Sequence, residues 1–161
     1  MTDPTTPETG APPLPSEVRA RLVEAHGAIR ERLARAGTLV AWLREGHAAA
    51  PSTLKTWAED LHQLLVAHME EEERLLLPAL TEADGFGPTR AAALQEEHEA
   101  QRRGLQRVLA AIVSEGDGEL LADRIELLVA RVRRDMDEEE AQYLSARLLK
   151  DDLVPADYFG G

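Results

Sequence analysis

Apolar residues in this chain recur three and four positions apart, the period of a helix face rather than of a strand. The first stripe runs through Val18, Leu22, Ala25, Ile29, Leu33, Ala36, Val40 and Leu43, with Ser16 placed to cap the helix and Gly46 to end it. Pro51 and Ser52 open a second helix carrying Leu54, Leu61, Leu64, Leu65, Met69, Leu76 and Leu80, which closes before Gly85-Phe86-Gly87. Pro88 suits the first turn of a third, with Ala91, Leu94, Leu105, Val108, Leu109 and Ile112 on its stripe, ending at Gly116. A fourth runs from about Glu119 to about Lys150 through Leu121, Ile125, Leu128, Val132, Met136, Leu144 and Leu148. Four helices of roughly 27 to 33 residues, each about 40 to 50 Å long, joined by short loops, predict an all-α, antiparallel up-down-up-down four-helix bundle. An aromatic fraction of only 4% and sparse Val and Ile offer no competing strand pattern.

The bundle accounts for residues 16–150. Residues 1–15 hold five prolines and almost no large apolar side chains, so they are expected to form a disordered tail. Residues 151–161 form a C-terminal tail whose Tyr158 and Phe159 could cap the bundle end or meet a partner. A chain of 161 residues that is 43% hydrophobic suits one domain with one core.

Charge adds a local feature. The 30 acidic and 18 basic residues give a net charge of -12, which disfavours nucleic acid and anionic membrane surfaces as partners. Twelve of the acids lie in His68–Glu73, Glu96–Glu99 and Asp135–Glu140, which contain no Lys or Arg, so the remainder balances at 18 against 18. The absence of cysteine excludes disulfides, thiolate zinc, iron–sulfur clusters and thiol catalysis. Any metal must be held by His and carboxylates. No basic-plus-apolar leader opens the sequence and the longest apolar run, Leu75–Leu77, is too short to span a bilayer, so a soluble, cytoplasmic protein is expected.

His68 and Glu72 stand four apart on one helix face. In a run of four glutamates that spacing alone fits a solvated acidic surface. Three further patterns favour a site. Leu22, Glu24, His26, Ala28, Arg30 and Leu33 repeat as Leu94, Glu96, His98, Ala100, Arg102 and Leu105, and His68-Met69-Glu70-Glu71-Glu72-Glu73 repeats as Asp135-Met136-Asp137-Glu138-Glu139-Glu140. Counted from the helix ends, His26, Glu72, His98 and Glu139 fall within roughly 3 Å of one height. His26 and His98 also lie within apolar stripes, where a buried imidazole needs a partner.

The set His26, His68, Glu72, His98, Asp135 and Glu139 therefore reads as a metal site. Three imidazoles and three carboxylates suit iron or manganese, with zinc a less specific competitor. Six ligands exceed what one ion with an open position uses, carboxylates from two helices can bridge a pair, and three negative charges balance two divalent ions in large part. Arg30 and Arg102, each four after a His, can reach Glu72 and Glu139, either to orient them as ligands or to neutralise them in a metal-free ion-pair network. Glu71 could substitute for Glu72. Tyr143, four after Glu139, could face the site or pack in the bundle, while His47 and His62 carry no assigned role.

These residues resemble the hemerythrin-like, or HHE cation-binding, family. Its second-helix pattern of His, Glu at +4 and +5, a large apolar pair and Pro is matched by His68, Glu72, Glu73, Leu76, Leu77 and Pro78. The single His of the first and third helices is matched by His26 and His98, and the resemblance spans about residues 16–150. It implies a non-haem di-iron centre that binds, senses or reacts with O2, peroxide or NO, or handles iron. Two departures stand out: Asp135 occupies the place of a family His on the fourth helix, and Arg102 that of a second third-helix His found in the oxygen carriers. More carboxylate and less imidazole favours the ferric state, and with it oxidase-like, sensory or storage roles over reversible oxygen carriage. Competing functions are iron buffering without turnover and a metal-free interaction module.

Overall fold

The protein's structure, a computed structural model, describes residues 12–114 and 116–151. The expectations for residues 1–11 and for the aromatic C-terminal tail lie outside the described residues. Among the described residues there are five helices: α1 (Pro15–Ala34), α2 (Ala36–Arg44), α3 (Ala50–Ala83), α4 (Gly87–Ser114) and α5 (Gly118–Gln142). α1 and α2 together form the first arm of an up-down-up-down four-helix bundle, in which α3 packs on α4, α4 on α5, and the first arm on both α3 and α5.

The first arm is broken where the sequence predicts one helix. At Arg35 the backbone N–H bonds back to the Arg32 carbonyl at 3.3 Å, a tighter turn than the helix on either side. The cause is Trp57 on α3, whose indole N–H donates to that same Arg32 carbonyl at 3.0 Å and draws it out of the helical ladder. The apolar stripe survives the break, since Ala36, Leu39 and Val40 remain buried.

Gly46 ends α2 as expected. It has φ +68°, and the His47 and Gly46 N–H groups bond to the Trp42 and Leu43 carbonyls, a Schellman closure. Ser16 does not cap α1; Leu14 precedes the first turn and its N–H is bonded by the Glu17 carboxylate. Ser16 instead donates its N–H and hydroxyl to Asp151 at 2.8 and 2.7 Å, tying the start of the bundle to its end.

α5 stops at Gln142 rather than near Lys150. The Tyr143 and Leu144 N–H groups both turn back to the Glu139 carbonyl, and Ser145 accepts from Leu148 and Leu149, so residues 143–151 fold as turns. The stripe through Leu144 and Leu148 suggested a helix, but turns achieve the burial: Leu144 and Leu149 tuck into the core and Leu148 packs against it.

The core is split in two. One cluster contains Ile29, Leu33, Leu61, Met69, Ile125 and Met136, and the other Val18, Leu22, Leu76, Leu80, Leu94 and Leu144. α1, α3 and α4 each contribute to both, the fourth arm does so through α5 and the turns that follow it, and each of α1, α3, α4 and α5 places a polar residue between the two clusters. No described helix is long and apolar enough to cross a membrane.

Candidate metal centre

The polar layer consists of His26, His68, Glu72, His98, Asp135 and Glu139, and among the described residues these six are the buried polar and charged side chains. Their positions follow from helical period. His26 lies four after Leu22 and three before Ile29 on α1, and Glu72 lies three after Met69 and four before Leu76 on α3, so each sits in the seam between the two apolar clusters.

The donor atoms gather unevenly. His26, His68, Glu72 and Glu139 each offer one atom within 4.8 Å of all the others. His26 Nε2 lies 3.2 Å from Glu139 Oε2 and 3.8 Å from Glu72 Oε1, and His68 Nε2 lies 3.3 Å from Glu72 Oε1. His98 comes to the other oxygen of Glu72, with Nε2 3.1 Å from Oε2. Asp135 stands apart from that quartet: it accepts from the Gln101 amide at 3.3 Å and forms a second acidic group with Glu97 and Glu138.

These short separations are not hydrogen bonds. His26 Nε2, His98 Nε2, Glu72 Oε1 and both ring nitrogens of His68 are buried without a hydrogen-bond partner. Burying such atoms unsatisfied costs about 1–3 kcal/mol each. Ligand atoms held about 2.0–2.2 Å from a common cation at right or tetrahedral angles stand about 2.8–3.6 Å apart, the range that most of these pairs occupy. The donors are thus disposed toward a shared point rather than toward one another, and a sulfur-free N/O set suits a first-row divalent ion.

The Nδ1 atoms of His26 and His98 are both engaged. His26 Nδ1 lies 2.8 Å from Glu140 Oε1, which also accepts from Arg30 Nη1 at 2.8 Å. His98 Nδ1 lies 3.0 Å from Glu73 Oε1, which pairs with Arg102 Nη1 at 2.8 Å. Two equivalent relays, Arg30–Glu140–His26 and Arg102–Glu73–His98, flank the cluster. An Nδ1 proton donated to that carboxylate would leave each Nε2 lone pair facing inward for a cation.

Arg30 and Arg102 therefore reach Glu140 and Glu73, each one residue beyond the Glu139 and Glu72 expected from sequence. The internal repeat held the signal, since it aligns Glu73 with Glu140 and Arg102 with Arg30. Glu71 turns outward to Arg21 at 2.7 Å, away from the cluster. Tyr143 is half-buried against the apolar cluster that contains Leu76 and Leu80. Glu97, half-buried beside Asp135, carried no sequence signal beyond membership of an acidic run.

Electrostatics reflects the crowding. Burial opposes protonation of His26, but Glu139, Glu72 and Glu140 outweigh it and push its pKa up to about 10. His98 is likewise raised against its burial, by Glu72 and Glu73. Burial favours the neutral form of Glu72, yet the three histidines around it hold its carboxyl well below the usual range. Glu139 and Asp135 are pushed up by burial, Glu139 also by the charge of Glu72.

The profile of the hemerythrin HHE cation binding domain matches residues 18–146, most of the chain and all four arms of the bundle. The chain belongs to the hemerythrin HHE family. Cation binding, with iron the typical ion, is the property attached to this domain. Comparisons with curated proteins and with solved structures give no significant match. Within this HHE domain, the buried polar layer is where the helices bring imidazole and carboxylate together.

Proposed function

We propose that this HHE domain is a non-haem iron protein whose buried layer holds two iron ions, and that it senses or reacts with O2, peroxide or NO. The observation that carries this reading is the gathering of unpaired, buried donor atoms, one from each of His26, His68, Glu72 and His98, in one layer. Glu139 would complete the set around His26 and His68, and Glu72 would bridge, with Oε1 toward those histidines and Oε2 toward His98. Asp135, in the place of a family histidine, would add a carboxylate on the far side. Iron held there supplies one-electron redox chemistry and affinity for small diatomic molecules.

The chain's own residues prepare the site. Glu73 and Glu140 fix the imidazole tautomers, and Leu22, Leu76, Ile29 and Met69 in the flanking apolar layers exclude bulk water. Arg102 is committed to Glu73 and is no ligand. Three carboxylates against three imidazoles favour the oxidised ion, which supports an oxidising, sensory or iron-handling role over reversible oxygen carriage.

The test is metal analysis of protein purified without chelator, followed by anaerobic Fe(II) loading and exposure to air, peroxide or NO. Iron near two equivalents with a new charge-transfer absorption is expected. Less than about half an equivalent with no new absorption would overturn the reading, and exchangeable iron with no spectral response would assign buffering instead.

A further inference from the structure

The buried layer does not offer its donors evenly to two ions. The quartet of His26, His68, Glu72 and Glu139 is drawn from three arms of the bundle, with one member on α1, two on α3 and one on α5. Of the six buried polar residues α4 carries only His98, whose ion pairs run to Glu72 Oε2 at 3.1 Å and, on its other ring nitrogen, to Glu73 at 3.0 Å. Beside His98 the layer therefore presents two donors at close range, His98 Nε2 and Glu72 Oε2. The second of these belongs to a carboxylate shared with the quartet.

Asp135 is the residue that could even the count. In the internal repeat it stands where α3 has His68, and it is only 5% exposed. Its carboxylate is engaged elsewhere. Oδ2 accepts from the Gln101 amide at 3.3 Å, and Arg131 and Arg134 approach Oδ2 and Oδ1 at 3.8 Å each. Glu97 and Glu138 each bring an oxygen within 4.8 Å of it. Gln101 lies three residues after His98 on α4, on a neighbouring part of the same helix surface, so it competes with the His98 position for Asp135. Moving Asp135 to an ion beside His98 breaks that hydrogen bond first.

We propose that the layer takes its two ions unequally: one tightly in the quartet, and a second weakly and reversibly at His98 and Glu72 Oε2, with Gln101 holding Asp135 back from it. This rests on the layer being an iron site. The chain then passes between one-ion and two-ion forms as free Fe(II) rises and falls. Loss of a single supporting partner costs a metal site about 10- to 100-fold in affinity, so a position with two fewer protein donors should bind at least about a hundredfold more weakly.

Anaerobic titration of the full chain with Fe(II), read by competition against chromogenic chelators of graded strength, is the test. Two steps of one equivalent each are expected, separated by at least about a hundredfold. His98→Ala should remove the weak step and keep the tight one, whereas Glu139→Gln should weaken the tight one. Gln101→Leu, at a half-buried position, frees Asp135 and should strengthen the weak step about tenfold. The same substitution should have no effect in an Asp135→Asn background, a dependence that a purely structural role for Gln101 would not produce. Two steps within about threefold of each other would overturn this proposal while leaving the iron reading intact. So would a weak step that survives His98→Ala but is lost in Glu97→Gln, or one unmoved by Gln101→Leu. Absence of any tight step would sink the iron reading and this proposal together.

Discussion

Replacing Glu73 by Gln changes one atom pair and removes one charge. Glu73 Oε1 accepts from His98 Nδ1 at 3.0 Å and from Arg102 at 2.8 Å, and Arg102 holds this carboxyl below its usual range. A hydrogen bond to a charged group contributes about 1.5–3 kcal/mol when well sequestered. The Glu73 side chain is 31% exposed, so screening by solvent places the loss at the lower end, about 1.4 kcal/mol or tenfold in affinity. The expected result is therefore an Fe(II) affinity about tenfold weaker than that of the unsubstituted chain. It is read by anaerobic competition against a chromogenic chelator. Glu71→Gln is the matched control, two residues away on the same helix, because Glu71 pairs with Arg21 and faces outward. Without metal, both variants should melt within a few degrees of the parent, since both side chains are part-exposed. If the two variants bind iron with affinities within twofold of each other, the relay through Glu73 does not orient His98 and the reasoning fails.

Other consequences follow from the packing and from the buried layer. Leu76→Ala empties a fully buried position beside the polar layer and should cost about 2–5 kcal/mol in urea unfolding. Gly87→Ala should destabilise by about 1–3 kcal/mol, because a Cβ there runs into the backbone carbonyls of Leu80 and Thr81, which cannot swing aside. Gly27→Ala, in mid-helix with nothing within 4 Å of its Cβ, should stabilise by about 0.5–1 kcal/mol in the same assay. Chelation should lower the melting temperature of iron-loaded protein, since free metal at a hundredfold over its Kd adds about 2.7 kcal/mol; an unchanged melting temperature would favour a metal-free ion-pair network.

The bundle was legible in the sequence because helical period, caps and loop length agree with one another. Gly46 and Pro88 mark real boundaries, and the family pattern around His68 is compact. What escaped was decided between elements. Trp57 breaks the first arm at Arg35 by taking a carbonyl from a helix across the bundle, an event no local pattern in α1 announces. The end of α5 was overrun because Leu144 and Leu148, four apart, continue the apolar stripe while lying in turns that pack on the core. Burial of His26 and His98 was readable from their place in apolar stripes. The division of the six buried polar residues was not: the approach of Asp135 to Glu97 and Gln101, and the choice of Glu73 and Glu140 by the arginines, depend on helix rotation and side-chain reach.

The central claim is that His26, His68, Glu72 and Glu139 converge on a cation. Anomalous scattering at the iron edge, from crystals of protein loaded anaerobically with Fe(II), tests it most directly. A peak is expected within about 2.0–2.3 Å of His26 Nε2, His68 and carboxylate oxygens of Glu72 and Glu139, with a second toward His98. An empty buried layer, with iron found only on exposed carboxylates, would contradict it.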